Sequence, residues 1–281
     1  MRPDEQGYSG ARLIRLNCTF SDGRTGSYIC QYAKRSERII MQILTEQKRG
    51  HSPLAYSDLR DSKKNAWLIM QDIQSEEPIP CSISAWKKQA AAALADIHAD
   101  NLGLAERQPF LPRADADYWK QITTKISVDH FEKACALDSA FAAEYSGTLR
   151  KLQKLAERFA ADMAGLYQDG TSVTLTHGEL QDISGDHVRC FNGAPMLIDW
   201  GFGRLAPFYI DLVDFFPPEE TWLYWEELRR RGIAIQRGDF EECCHMASLY
   251  PVFIYLYPAL AQYAGGRKEK LHRLLSILSR Y

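Results

Sequence analysis

The order of the elements predicts an α+β protein. Strand-like segments crowd into the first 75 residues of a 281-residue chain, and helical periodicity dominates the rest. Polar residues from Gln71 to Glu77, followed by Pro78 and Pro80, separate the two patterns and mark a lobe boundary. The expected organisation is a small, mostly antiparallel β lobe over residues 1–75 and a larger helical lobe over residues 76–281.

In the first lobe, Tyr8 to Arg12 is a turn-like entry. Leu13 to Phe20 alternates as a strand does, with Leu13, Arg15 and Asn17 on one face and Ile14, Leu16 and Cys18 on the other. Ser21-Asp22-Gly23-Arg24 supplies turn chemistry, and Ser27 to Tyr32 reads as the partner strand of a hairpin. Ile39, Ile40, Ile43 and Leu44 form an apolar stripe, which predicts a helix over 36–47. Ala66 to Met70 reads as a buried strand.

In the second lobe, Trp86, Ala90, Ala91, Leu94, Ile97 and His98 recur at helical spacing, with Ser82 or Ser84 as the cap. Further helices are expected from about Phe141 to Leu166, Glu219 to Arg231, Asp239 to Tyr263 and Arg267 to Tyr281. Two short strands flank a glycine turn at 187–199. The most apolar stretch, Met246 to Ala261, is short for a bilayer span and holds Pro251 and Pro258, so it reads as a buried, broken helix.

Composition narrows the function classes. The net charge of -2 comes from 34 basic and 36 acidic residues, which argues against a nucleic-acid or membrane-surface partner. Seven scattered cysteines without a C-x-x-C pair argue against a disulfide framework or a zinc site. With no signal pattern in the first twenty residues, a reducing cytoplasm is the expected compartment. Oligomeric state is not legible.

The chemistry concentrates at 173–212. Val173 to Thr176 is a short β run that ends in His177-Gly178-Glu179. Farther on, Pro195 to Ile198 is apolar and ends in Asp199, with Gly201 close behind. A buried strand is a rigid mount for an acid. Phosphoryl transfer needs an oxygen ligand for a magnesium ion and a group that orients or deprotonates the attacking hydroxyl. Asp199 and Glu179 supply one carboxylate for each task.

His177-Gly178-Glu179, Ile198-Asp199-Trp200 and Pro207-Phe208-Tyr209-Ile210-Asp211-Leu212 together resemble the aminoglycoside phosphotransferase and choline kinase superfamily. Ala92 to Ala99 is similar to that family's helix ending in Leu-His-Ala. Gly10, the hairpin around Asp22-Gly23 and the strand Tyr28 to Gln31 resemble its phosphate-covering loop and the strand after it.

The resemblance implies a bilobal protein-kinase-like fold and an ATP-dependent, Mg2+-assisted phosphotransferase with a small-molecule hydroxyl as acceptor. It implies Asp199 as a metal ligand, Glu179 as the catalytic acid residue, Asp211 as a structural aspartate and His177 as a support for the catalytic loop. It places adenine beside Met70 to Ile73, which makes Met70 and Asp72 cofactor-site candidates, and phosphates beside Gly10.

Three positions depart from the pattern. Glu179 stands where the family has aspartate, which moves the carboxylate by about 1.5 Å; a shift near 1 Å costs on the order of 10²-fold in rate. The metal-binding asparagine falls to His187, a poor magnesium ligand, with Asp182, Ser184 and Asp186 as alternatives in a lengthened loop. On alternation, Gln31 takes the place of the phosphate-gripping lysine, and Lys34 reaches it only if the strand is shifted or bulged. Glu37 falls early for the helix glutamate that pairs with this lysine, and Ile40 or Gln42 fills the expected turn. Both charges are therefore expected to be lost together, since a buried glutamate without its lysine is costly.

These departures support a second reading, a kinase-fold protein that binds nucleotide, ligand or partner without efficient turnover. For the acceptor, Trp222, Tyr224 and Trp225 offer aromatic faces to a choline-like head, and Glu219, Glu220 and Glu226 offer carboxylates to an aminoglycoside. The same residues also fit an ordinary amphipathic helix.

Overall fold

A computed structural model describes residues 3–6, 12–73, 81–181 and 187–281. The elements run β1 (Pro3–Gln6), β2 (Arg12–Thr19), β3 (Thr25–Lys34), α1 (Arg35–Gln47), β4 (Ala55–Tyr56), β5 (Asn65–Gln71), α2 (Ile83–Asp100) and α3 (Leu104–Arg107). Then come α4 (Ala116–Lys120), α5 (Asp129–Leu137), α6 (Ser139–Glu144), α7 (Ser146–Asp169) and β6 (Val173–Thr176). The chain continues through β7 (Val188–Phe191), β8 (Ala194–Leu197), β9 (Arg204–Pro207) and α8 (Tyr209–Phe215). It closes with α9 (Trp222–Arg230), α10 (Arg237–Ala247), α11 (Tyr250–Ala264) and α12 (Glu269–Leu278). The fold is α+β, with a small antiparallel sheet early and helices dominating afterwards.

The chain divides into two compact units. The first is Met1–Pro112, His177–Arg204 and Trp222–Ala234; the second is Arg113–Thr176, Leu205–Thr221 and Ile235–Tyr281.

In the first unit the sheet order is β1-β2-β3-β5-β4. The β2–β3 hairpin forms as its turn residues require. Phe20 and Arg24 pair across the turn, and Asp22 Oδ1 accepts the Arg24 N–H at 3.1 Å. Along β3 the register with β5 runs from Tyr28↔Gln71 to Lys34↔Asn65 without interruption. Leu13, Arg15, Ile29, Gln31, Leu68 and Met70 therefore share one face of the sheet. Helix α1 buries Ile39, Ile40 and Leu44 of the stripe its spacing predicts, together with Met41, and leaves Ile43 half-buried. Arg38 on α1 is fully buried, and donates to Ser57 Oγ, Asp58 O, Asp61 O and Lys63 O, the last at 2.9 Å. These bonds from the two terminal nitrogens offset much of the cost of burying the charge, though Nε finds no acceptor among the described residues, and they tie α1 to the loop before β5.

Ser82 caps α2, accepting the Ala85 N–H at 3.2 Å. At the other end, His98 Nδ1 meets the buried Tyr224 hydroxyl at 2.8 Å and locks α9 onto α2. The β7–β8 hairpin turns on Asn192 and Gly193, both with positive φ (51° and 74°), the Asn-Gly pairing that suits a two-residue loop.

In the second unit, β6 pairs with β9 and helices supply the rest. The expected single helix over 141–166 is two helices. Tyr145 leaves helical geometry (φ -112°, ψ 23°), held by Phe141 at 4.6 Å between ring centres and by His272 at its hydroxyl. Ser146 and Gly147, both weak helix formers, follow at the break. The expected helix over 239–263 is likewise split into α10 and α11. Pro251 starts the second piece, where its missing N–H costs nothing. The run Arg237–Ala264 is long and apolar enough by composition to cross a membrane, and more than half of its most apolar window is buried in the protein.

Candidate functional site

The first unit alone brings together the altered residues of β3, α1 and the 177–203 segment. His177 is fully buried. Its Nε2 donates to Ile198 O at 2.8 Å, and its Nδ1 accepts the Glu179 N–H at 3.3 Å. Those two bonds require the neutral Nε2–H tautomer and leave no nitrogen for acid–base work. His177 thus ties the start of this loop to the end of β8.

Asp199 follows β8 in left-handed backbone geometry (φ 62°, ψ 65°), which Asp tolerates better than most residues. Its side chain is 55% exposed. Gly201 gives this carboxylate its room: a Cβ there would lie 3.3 Å from Asp199 Oδ1 and 3.8 Å from Glu37 Oε2. Gly203 is constrained harder, since a Cβ would come within 2.7 Å of Ile40 Cδ1 on α1. Small residues at 201 and 203 therefore let α1 approach the 200–203 turn and bring Glu37 toward Asp199.

Gln31 shares a sheet face with Ile29, as alternation predicts, and its Nε2 donates to Glu37 Oε1. This corrects the expectation that the helix glutamate is lost with the lysine. Glu37 is present and buried, and an amide rather than an ammonium partners it. Burial pushes the Glu37 carboxyl up from 4.5 to about 7, and repulsion from Asp199 adds to the rise. The Gln31 hydrogen bond and the Lys34 charge oppose it. Protonation offers a way to bury this acid without a lysine.

Lys34 is exposed, at the N-cap of α1, three residues beyond Gln31 in an unbulged strand. An odd offset puts it on the other face of β3 from Gln31, so the shift needed to bring it into the lysine position is absent.

His187 Nδ1 donates to Glu179 O, and its Nε2 lies 3.8 Å from Asp199 Oδ2. Because a carbonyl only accepts, the Nδ1 proton is fixed and Nε2 carries the lone pair in the neutral ring. The Glu179 residue is half-buried. Asp182, Ser184 and Asp186 lie outside the described residues, as does Gly10. Among the described residues no group of three or more His, Cys, Asp or Glu side chains converges as a metal site. The donors that do converge are one carboxylate and one imidazole. That is not the all-oxygen set magnesium prefers.

Met70 lies opposite Ile29, on the Gln31 face of the sheet. Asp72 follows β5, and its carboxylate is committed: Arg15 Nε donates to Oδ2 at 2.7 Å and Ser27 Oγ to the same oxygen at 2.6 Å. The Asp72 N–H is also used, donating to Ser27 O at 3.3 Å. Among the aromatic acceptor candidates, Tyr224 is a core residue bonded to His98, whereas Trp222 is exposed and Trp225 lies under Arg229 at 4.8 Å. The Tyr224–His98 and Gln31–Glu37 pairs escaped the sequence reading because each joins residues whose partners only the packing reveals. Glu37 alone had a usable signal, its place in the first turn of a helix that directly follows β3.

No family model matches this sequence, and no curated protein matches it significantly. Solved structures do. A thermostable mutant of the aminoglycoside phosphotransferase APH(4)-Ia, in ternary complex with AMP-PNP and hygromycin B, aligns over 99% of this chain and 92% of its own, with TM-score 0.61 and 13% identity. Spectinomycin phosphotransferase APH(9)-Ia, in complex with ADP and spectinomycin, aligns over 96% of this chain and 88% of its own, with TM-score 0.56 and 14% identity. Choline kinase from Cryptosporidium parvum aligns over 96% and 88%, with TM-score 0.57 and 11% identity. The chain has the kinase-like fold that these small-molecule phosphotransferases share.

Proposed function

We propose that this protein is a nucleotide-dependent phosphotransferase acting on a hydroxyl group of a small molecule, with ATP as donor. One observation carries the reading: Asp199, Glu37 and Gln31 come together within the first unit, around Gly201, with the Asp199 carboxylate open to solvent and Glu37 buried behind it. The fold is shared with enzymes crystallised with ADP, AMP-PNP and small-molecule substrates, which supports the same reaction class. Glu179 orients the acceptor hydroxyl and takes its proton. The hydroxyl oxygen bonds to the γ-phosphorus as the bond from phosphorus to the ADP oxygen breaks. Asp199 faces the phosphates as a cation-holding carboxylate. Adenine packs against Ile29 and Met70, and the Asp72 strap to Arg15 and Ser27 stiffens the sheet edge beside it. The acceptor lies against residues such as Trp222 and Trp225.

The Gln31–Glu37 pair favours a second reading, nucleotide binding with little transfer. An amide cannot supply the positive charge that a lysine offers the α- and β-phosphates. One experiment separates the two. Purified protein is incubated with γ-labelled ATP and a panel of amino alcohols, sugars and aminoglycosides, beside Glu179→Ala. Transfer to an acceptor that drops at least 10²-fold in the variant supports the phosphotransferase. Nucleotide binding without transfer to any acceptor supports the second reading.

A further inference from the structure

We propose that the cation site at Asp199 selects a first-row transition ion over magnesium, because His187 contributes a nitrogen ligand to it. The inference rests on the kinase-like reading of Asp199 and deepens it. The geometry makes the argument. His187 must donate from Nδ1, because Glu179 O is the acceptor there, and this leaves the Nε2 lone pair on the Asp199 side. Nε2 and Asp199 Oδ2 are 3.8 Å apart, too far for a hydrogen bond between them. Two metal–ligand bonds of about 2.1 Å each span such a gap at an open angle.

The arrangement of His187 also has the form usual for metal-bound histidine. One ring nitrogen is pinned by a backbone carbonyl, which fixes the tautomer and aims the other nitrogen. The His187 side chain is 14% exposed and the Asp199 side chain 55%, so the acid end of the site is open to phosphate oxygens and water. The surroundings raise the demand for a cation. Gln31 supplies no charge where a lysine would, and Glu37 lies beside the same Gly201 as Asp199. Imidazole nitrogen is a borderline donor that first-row transition ions accept readily and magnesium does not. A His in this place therefore changes which ion the site holds.

The test uses Mn2+ as the probe, on the full chain without nucleotide, so that it is independent of catalysis. Electron spin resonance measures free Mn2+ during titration, and Mg2+ competition gives the Mn2+/Mg2+ affinity ratio. Electron spin-echo modulation then reports any directly bound imidazole nitrogen. Wild type is expected to bind Mn2+ more tightly than Mg2+ and to show the nitrogen modulation. His187→Asn, which replaces the nitrogen by an amide oxygen, is expected to lose the modulation and to move the ratio toward Mg2+ by about tenfold. Asp199→Asn is expected to weaken both ions.

An unchanged ratio and unchanged modulation in His187→Asn, with circular dichroism showing the variant folded, overturns the proposal. So does Mn2+ bound without nitrogen modulation in wild type, which would leave His187 as an imidazolium partner of Asp199. Nucleotide binding is measured separately with a fluorescent ADP analogue. Its absence beside an intact Mn2+ signature would count against the phosphotransferase reading and leave the metal preference standing.

Discussion

The two sides of the candidate site depart from the kinase pattern in opposite ways. On the β3–α1 side the charge has gone and the contact remains: Gln31 still reaches Glu37, but as a neutral amide. On the 177–203 side the charge remains and the ligand atoms have changed. Glu179 and Asp199 are still acids, while His187 brings nitrogen beside Asp199. The supporting residues on this side are undisturbed, with His177 buried and using both ring nitrogens. A hydrogen-bonded scaffold tolerates little change, because each lost bond strands a buried polar group. Groups that face solvent and substrate change more freely, and those changes decide chemistry, not folding.

The largest test of this contrast is Glu179→Ala. If the acid on the second side still works as a base, transfer falls by on the order of 10² to 10⁴-fold, with nucleotide affinity within about twofold of wild type. Steady-state rates and a fluorescent-nucleotide titration measure the two quantities.

Glu37 sharpens the first side. Its folded pKa, about 7, lies above its ordinary 4.5, so the folded state holds the proton more tightly. Its stabilising contribution is full below about pH 4.5 and is lost as pH rises through about 7, on the order of 3 kcal/mol in total. Denaturant melts from pH 4 to 8.5 should show that part of the fall vanish in Glu37→Gln. A variant curve parallel to wild type would mean that Glu37 is ionised throughout.

Gln31→Lys returns a positive charge beside Glu37 and Asp199. It is expected to raise nucleotide affinity about tenfold and to flatten the same pH dependence. No gain would mean that this face does not receive phosphates. The smallest effect belongs to a contact outside the reacting groups. Tyr224→Phe removes the hydroxyl at His98 Nδ1 and should cost about 1 kcal/mol in urea melts while leaving nucleotide affinity unchanged. A loss of affinity instead would return Tyr224 to the binding surface.

The fold was largely legible because its signals are local. The Asp22-Gly23 and Asn192-Gly193 turns, the α1 stripe and the Ser82 cap each act within a few residues. The break at Tyr145 was not legible, since aromatic packing from distant segments holds it while helical periodicity runs through, whereas Pro251 announced the broken helix near Leu249. Alternation was enough to put Gln31 and Ile29 on one face of the sheet, and the unbroken β3 register leaves Lys34 on the other face. Glu37 was not legible as a partner of Gln31, because it falls early by helix turn and an ionised acid would be costly to bury there. Its position depends on how closely Gly201 and Gly203 let α1 approach, and its burial is eased by a proton.

The most direct measurement of the central claim, a nucleotide site built on Asp199, is thermal stability during titration with ATP and a divalent cation, for wild type and Asp199→Ala. Ligand at about 100 times its dissociation constant should stabilise the wild-type protein by about 2.7 kcal/mol, and the cation-dependent part should be absent in the variant. No shift in wild type at millimolar ATP with either Mg2+ or Mn2+, or an equal shift in both proteins, would contradict it.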